Sequence, residues 1–282
     1  MPELPEVETI VRLLRPTLIG KSILSADLYW ERTLVTPSPE EFKKLVRGQQ
    51  IKEVFRRAKF FCVQLSTTCL LIHLRMSGDM LVVLGGYKPA KHDRLILKLT
   101  EDTTLVFTDP RKFGRVWLED DPAEIFNNLG PEPLSDQFTS TWLYEALHGQ
   151  HRLLKPLLLD QSFLAGLGNI YTDEALHLAR LHPLIHSDSV TANEAEILWM
   201  SIREVLEEGI RHNGASIDWV YRGGEFQNHF RVYGRKGQPC PICGTKIERI
   251  IVGERSTHFC PQCQAAPSQS LLKDTVGKPD RT

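Results

Sequence analysis

No apolar run in the 282 residues approaches the roughly 20 positions that a helix needs to cross a bilayer. The opening residues are acidic and contain proline, so the pattern of a secretory signal is missing too, and the chain is expected in the cytoplasm. Charge of one sign is not in excess. Lys and Arg total 34 against 35 Asp and Glu, a net charge of −1, which gives no bulk electrostatic case for a polyanionic partner. Any such surface has to be local. What is present is a globular composition, 41% hydrophobic, with length for two domains of ordinary size. The six cysteines divide unequally. Cys62 and Cys69 sit in apolar, strand-like runs and read as buried thiols, whereas the other four form two CxxC pairs near the end.

The start, MPELPEVET, is the most informative stretch. Met before a small residue such as Pro2 is normally trimmed, which would leave a secondary amine at the terminus. An α-amino group titrates near ~8, so part of it carries a free lone pair at neutral pH. Such an amine can attack an electrophilic sugar carbon and form an iminium, an electron sink for later eliminations. Glu3 follows at once, and Glu6 lies three positions on, which places both on one helical face. Val7, Ile10, Val11, Leu14 and Leu18 make an apolar stripe at helical spacing, with Gly20 as the stop. An acidic first turn favoured by the helix dipole, with Pro5 near the helix start, explains the same residues without chemistry.

Short apolar runs of period two follow, at residues 22–30, 59–65, 69–74, 80–84, 95–99, 104–108 and 114–118. This spacing predicts a β-sandwich or flattened barrel. Three loops carry residues that a sheet does not require: Arg56-Arg57-Ala58-Lys59, His73-Leu74-Arg75-Met76-Ser77-Gly78, and Thr108-Asp109-Pro110-Arg111-Lys112-Phe113-Gly114-Arg115. Singly they read as a solvated charge run, a core methionine and a hairpin tip. Together they suggest cations for phosphates, with Met76 and Phe113 as wedges that enter a base stack.

Residues 129–134, with two prolines and a glycine, read as a linker into a helical region. Helices are expected at 141–147 and 153–159, with turns over 160–167. Another helix is expected from Gly168-Asn169 to about Arg180, and a long one after the capping box Thr191–Glu194, ending near Asn213-Gly214. The pair flanking the glycine-lined turns suits nucleic acid, its second N-terminus offering amides to phosphate; an ordinary helical hairpin fits nearly as well. Residues 214–230 read as a loop rather than core. Cys240-x-x-Cys243, sixteen residues, then Cys260-x-x-Cys263 is the spacing of a closed, structural four-thiolate zinc site. A β-hairpin with Lys246, Arg249, Arg255 and His258 as cations at its turn is expected between the pairs. From about Pro267 the chain is polar and aperiodic, and disorder is expected.

From Met1 to about Ala266 the chain resembles the bacterial formamidopyrimidine-DNA glycosylase (Fpg, MutM) family. The resemblance rests on the MPELPEVET start, RRAK, HLRMSG, KHDR, TDPRKFG, LGPEPL, KPLLLDQ, GLGNIYTDEAL, VYGR and the paired CxxC with RSTHFCPQC, in that order. The start favours this branch over the related endonuclease VIII branch. The resemblance implies an α+β protein of two domains: an amino-terminal helix plus β-sandwich over 1–132, then a helix–two-turn–helix region over 133–230 with a zinc-finger hairpin over 231–266, and a tail over 267–282. It implies a bifunctional DNA glycosylase and abasic-site lyase with one structural Zn2+ on Cys240, Cys243, Cys260 and Cys263. Its partner would be double-stranded DNA carrying oxidised bases or abasic sites, met as a monomer at the bacterial nucleoid, without membrane.

By the same resemblance Pro2 is the Schiff-base nucleophile, Glu3 the general acid and base, and Glu6 a supporting carboxylate. Lys59 serves β-elimination and Arg255 δ-elimination. His73, Asn169 and Arg255 clamp the backbone, with His92 and Arg152 as further contacts, and His151 is a rival for the place of Arg152. Met76, Arg111 and Phe113 fill the gap left by an extruded nucleotide. Residues 214–235 are shorter than the family's lesion-recognition loop, which leaves formamidopyrimidines, hydantoins, oxidised pyrimidines and abasic sites open beside 8-oxoguanine. A non-enzymatic damage binder of the same fold and a zinc-ribbon interaction protein are the rival readings. The first needs only clamp and wedges, and the second leaves the acidic start unexplained.

Overall fold

The computed structural model describes residues 2–216 and 223–266. Helix α1 spans Leu4–Leu18, followed by β1 (Ile23–Leu28), β2 (Leu34–Thr36), α2 (Pro39–Val46), β3 (Glu53–Arg57), β4 (Phe60–Gln64) and β5 (Cys69–His73). Next come β6 (Asp79–Leu84), β7 (Asp93–Leu99), β8 (Thr103–Thr108), β9 (Arg115–Glu119), α3 (Ala123–Phe126), α4 (Ser140–His148) and α5 (Leu154–Leu159). Then follow α6 (Asn169–Leu178), α7 (Ala192–Arg211), β10 (Glu248–Val252) and β11 (Arg255–Phe259). The tail beyond Ala266 lies outside the described residues, as do Met1 and part of the short 214–235 stretch. No described helix is long and apolar enough to cross a membrane.

By contacts the chain forms two compact units, Met1–Glu132 with Leu206–His229, and Pro133–Val205 with Phe230–Thr282. Residues 206–229 therefore group with the amino-terminal segment, and not with the helical segment in which the sequence reading put them. The cause is side-chain bonding that no local pattern announces: Glu6 accepts the Ala215 N–H at 2.7 Å.

The first unit is a sandwich of two sheets. Strands β1-β7-β8-β6 form one, all antiparallel, and β2-β9-β5-β4-β3 the other, where only β2 runs parallel to β9. Alternation decides the faces. Phe61, Val63, Leu70 and Ile72 enter the main core with Leu95, Leu97, Leu105 and Phe107 of the facing sheet, and with Val7, Ile10, Val11 and Leu14 of α1. Phe60, Cys62, Cys69 and Leu71 point the other way, under Phe126 and Leu129. Strands β4 and β5 are thus apolar on both faces, which is why they read as nearly unbroken hydrophobic runs. Burial raises both thiols, Cys69 to about 12, so neither is a nucleophile at neutral pH.

Strand β3 lies where the sequence suggested a charged loop. Arg56 and Arg57 end that strand, and their charge is matched internally: Arg56 bonds Glu8 at 3.0 Å and Glu132 at 2.7 Å, and Arg57 bonds Glu132 at 2.9 Å. Arg57 also donates to Gly130 O at 2.7 Å, so the presumed linker is pinned to the sheet. Strand β2 and helices α2 and α3 are too short for periodicity to reveal.

In the second unit α7 opens on the expected capping box, Glu194 accepting the Thr191 N–H at 2.8 Å. Apolar faces of α4 to α7 bury Leu143, Leu147, Leu157, Leu158, Tyr171, Leu198 and Ile202. Half-buried Trp199 donates its Nε1–H to Phe138 O at 2.7 Å, so the ring packs without a stranded donor. Strands β10 and β11 form the hairpin between the cysteine pairs.

Candidate functional site

In the first unit Glu3 is the N-cap of α1 and Pro5 sits in its first turn. Glu6 returns its carboxylate to the Glu3 N–H at 2.7 Å, a capping box that fixes the exit direction of Pro2. Its other oxygen accepts from Ala215 N, so both are occupied by backbone donors. A Cβ on Gly214 would stand 2.7 Å from that carboxylate, so only glycine fits there. Pro2, Glu3 and Glu6 are all buried. Residues 214–230, expected to be a loop rather than core, are partly core: Phe226 is fully buried, and its N–H bonds Gly214 O at 2.9 Å.

Lys59 is buried in the turn after β3, behind Ala58 at φ 51°. Half-buried His73 ends β5, packed edge-on to Phe60 with ring centroids 4.9 Å apart. Burial first, then the charges of Arg75 and Lys59, push it down to about 3. Its Nδ1 accepts the Arg75 N–H at 3.0 Å, which leaves the proton of the neutral ring on Nε2. His73 is therefore an uncharged donor at neutral pH.

The other two sequence-marked loops are tied together by Asp109, a residue that sequence reasoning quoted but gave no role. Its buried carboxylate accepts from Ser77 Oγ, Arg111 N (3.1 Å) and Gly114 N (2.7 Å). Gly114 is needed because a Cβ there would lie 2.3 Å from the Phe107 ring. Held this way, Met76 and Phe113 stay 41% and 47% exposed, on loops fastened to each other. The Arg111 guanidinium lies 5.0 Å from the Phe113 centroid, whereas Lys112 turns to Trp30 at 4.1 Å. His92 is exposed, its carbonyl taking the Asp109 N–H at 2.8 Å.

In the second unit one helix organises everything. Asn169, Asp173 and His177 are spaced by four along α6 and share a face. Asn169 Nδ2 donates to Ser256 O at 2.8 Å. Asp173 accepts from Lys155 Nζ at 2.6 Å and from His258 N at 2.8 Å. Lys155 is fully buried and also donates to Thr257 Oγ1 (2.8 Å) and Ser256 O (3.1 Å), so three N–H bonds meet three acceptors. Glu174 accepts three consecutive amides, Arg231, Val232 and Tyr233, at 2.8 to 2.9 Å. None of these roles was foreseen. The available signal was a lysine inside the apolar run LLKPLLL.

Arg152 is paired with Asp160 at 2.8 Å, and His151 with Asp188 at 2.7 Å, so each carries an acidic partner of its own. On the hairpin Arg255 and Arg249 are exposed, whereas His258 lies within β11, buried against Asp173, and not at the turn.

The four sulphurs converge. Cys240 and Cys263 are 3.9 Å apart, Cys243 and Cys260 3.4 Å, and all four lie within 4.8 Å with no disulfide. A tetrahedral ion with ~2.3 Å bonds needs about 3.8 Å between sulphurs, so the cluster fits one structural zinc. His177 Nε2 lies 3.4 Å from Cys240 Sγ. Burial and three nearby arginines push His177 down to about 4, which leaves it a neutral N–H donor for a thiolate.

A capped amino-terminal helix on a β-sandwich, a helical region and a four-thiol hairpin define a class by their combination. Family models match in the same order: the formamidopyrimidine-DNA glycosylase N-terminal domain at residues 1–116, its helix–two-turn–helix domain at 129–220, and a zinc finger found in that enzyme and in IleRS at 237–266. A formamidopyrimidine-DNA glycosylase of Herpetosiphon aurantiacus is 45% identical over 273 residues, covering 94% of this chain and all of the relative. That of Chloroflexus aggregans is 47% identical, covering 94% and 98%. Among solved structures, MutM in complex with DNA containing carbocyclic 8-oxo-G superposes with a TM-score of 0.88 at 37% identity, covering 94% of this chain and all of that one. The Lactococcus lactis enzyme non-covalently bound to DNA with an abasic site gives 0.88 at 36%, with the same coverage. The chain belongs to the formamidopyrimidine-DNA glycosylase family.

Proposed function

We propose that the chain is a DNA glycosylase of base excision repair with abasic-site lyase activity, releasing oxidised purines such as 8-oxoguanine and formamidopyrimidines from double-stranded DNA. The observation that carries this reading is the amino-terminal geometry. Pro2 and Glu3 are buried at the start of α1, and Glu6 holds that start by two backbone N–H bonds. Once Met1 is removed, the Pro2 amine attacks C1′ of the damaged nucleoside, and the base departs with the C–N bonding pair after protonation. Glu3 shuttles the protons of base release and ring opening. Glu6, with both oxygens occupied, positions rather than transfers. The iminium then accepts the electron pair from the 2′ C–H bond, which expels the 3′ phosphate, and a second elimination expels the 5′ phosphate. Lys59 assists the first elimination and Arg255 the second.

Met76, Arg111 and Phe113 enter the gap left by the extruded nucleotide, and exposed apolar side chains on a rigid loop pair suit that task. His73 takes a phosphate oxygen as a neutral donor, and His92, Asn169 and Arg255 take others. Arg152, exposed beside Asp160, adds a further contact. Segments 1–132, 133–230 and 231–266 serve as catalytic sandwich, helical DNA reader and zinc finger. The protein acts as a monomer in the bacterial cytoplasm, associated with the nucleoid through DNA.

Borohydride reduction in the presence of abasic DNA tests the chemistry. A covalent adduct mapping to Pro2, slowed in Pro2→Gly, is expected. An adduct on a lysine would sink the mechanism, and binding without any adduct would favour the non-enzymatic damage binder.

A further inference from the structure

The end of α7 carries a second group of metal-ligating side chains, apart from both the four thiols and the amino-terminal carboxylates. Glu208 and His212 are four positions apart, and His212 N–H still bonds Glu208 O at 3.0 Å, so helical spacing persists to the histidine. His229 arrives from the other side, as the last residue of the 3-10 helix Phe226–His229. Two backbone bonds hold that helix against the end of α7: Glu225 N–H to His212 O and Phe226 N–H to Gly214 O, each 2.9 Å. The rings of His212 and His229 stack with centroids 3.8 Å apart and planes 29° from parallel. One donor atom from each of Glu208, His212 and His229 lies within 4.8 Å of the others. Glu208 and His212 are half-buried and His229 is exposed, so an ion can reach the group and is partly sheltered once there.

We propose that Glu208, His212 and His229 bind one borderline divalent transition-metal ion, of the class of Zn2+ or Ni2+, in addition to the hairpin zinc. Donor type selects the ion: two imidazoles with one carboxylate suit these metals, whereas Mg2+ and Ca2+ prefer oxygen alone. Bonds of ~2.0–2.2 Å around a tetrahedral centre put donors about 3.3–3.6 Å apart, so on binding the stacked His212 and His229 rings rotate apart until one nitrogen of each meets the ion beside Glu208. Three protein ligands leave a fourth position for water. The bound ion cross-links the end of α7 to the 3-10 helix, the two elements that bracket Ala215. Ala215 is the residue whose N–H holds Glu6. Metal occupancy therefore stiffens the support of the amino-terminal carboxylates without touching them.

The test uses the full-length protein with its hairpin zinc in place, titrated calorimetrically with ZnCl2 and, separately, NiCl2. A second equivalent is expected to bind and to raise the thermal midpoint. His229→Gln and His212→Gln should each lose that equivalent and retain the hairpin zinc. His229 is exposed, so its replacement leaves the core intact. The control is His151→Gln, which disables the other histidine-rich group, His151, His186 and Asp188. The second equivalent should survive there. Its absence from the wild-type protein, its persistence in His229→Gln, or its loss in His151→Gln would each overturn the assignment.

Discussion

His73 shows how a single side chain acquires its chemistry from its surroundings. A free imidazole titrates near ~6.5, but desolvation beside Phe60, Lys59 and Arg75 pushes this one down to about 3. The folded protein thus refuses a proton that the unfolded chain accepts between those two values. Stability rises with pH wherever the unfolded state binds more protons, so His73 should weaken the fold as pH drops from about 6.5 towards 3, by at most about 1.4 kcal/mol per pH unit. Urea unfolding of wild type and His73→Gln across that range checks this, and the variant should show the shallower slope. A slope that does not change would mean that His73 titrates normally in the fold. Glu6 belongs to the same scale: a carboxylate that looks catalytic in sequence is held by the N–H groups of Glu3 and Ala215.

Among the elements, α6 does the most organising. Its ten residues place Asn169 on β11, Asp173 on Lys155 and His258, Glu174 on three successive amides, and His177 on Cys240. The Lys155–Asp173 pair is fully buried. Removing one partner of such a pair leaves an uncompensated charge in a low-dielectric interior, which costs about 3–5 kcal/mol. Lys155→Met should therefore destabilise the second unit by that order in urea unfolding. Adding Asp173→Leu should recover part of the loss. A single-variant cost below about 1 kcal/mol would mean that water reaches Asp173 readily. The pair of loops joined by Asp109 is the corresponding device in the first unit, where one carboxylate serves Ser77, Arg111 and Gly114.

For the whole molecule, the near-neutral net charge and the two-unit division set the expectations. The hairpin is fastened to α6 within one unit, so zinc should matter to that unit alone. Structural zinc supplies folding free energy because its site does not exist in the unfolded chain. Cys243→Ser, or zinc chelation, should lower the unfolding temperature of the second unit and leave that of the sandwich nearly unchanged. Calorimetry combined with limited proteolysis separates the two transitions. A common downward shift of both would show that the units unfold as one. Since Lys155, Asp173, Asn169 and Ser256 are linked, DNA affinity should fall with the hairpin, even where the reaction proposed for Pro2 persists on an abasic site.

The sequence by itself determined whatever depends on neighbours along the chain. Period-two alternation in β9, the apolar stripe of α1, the Thr191–Glu194 box and the CxxC spacing are local properties, and each produced the element or cluster it implied. Only the tertiary structure decided which charges remain available. Arg56 and Arg255 look alike in sequence, yet Arg56 is matched by Glu132, 76 positions away, and Arg255 is exposed. Glu6 meets its second partner 209 positions on, and Lys155 reaches Thr257 across 102. The physical reason is that a charged group's behaviour is set by desolvation and by the partners that compensate it. Both come from folding distant segments together, and neither leaves a periodic trace in the chain.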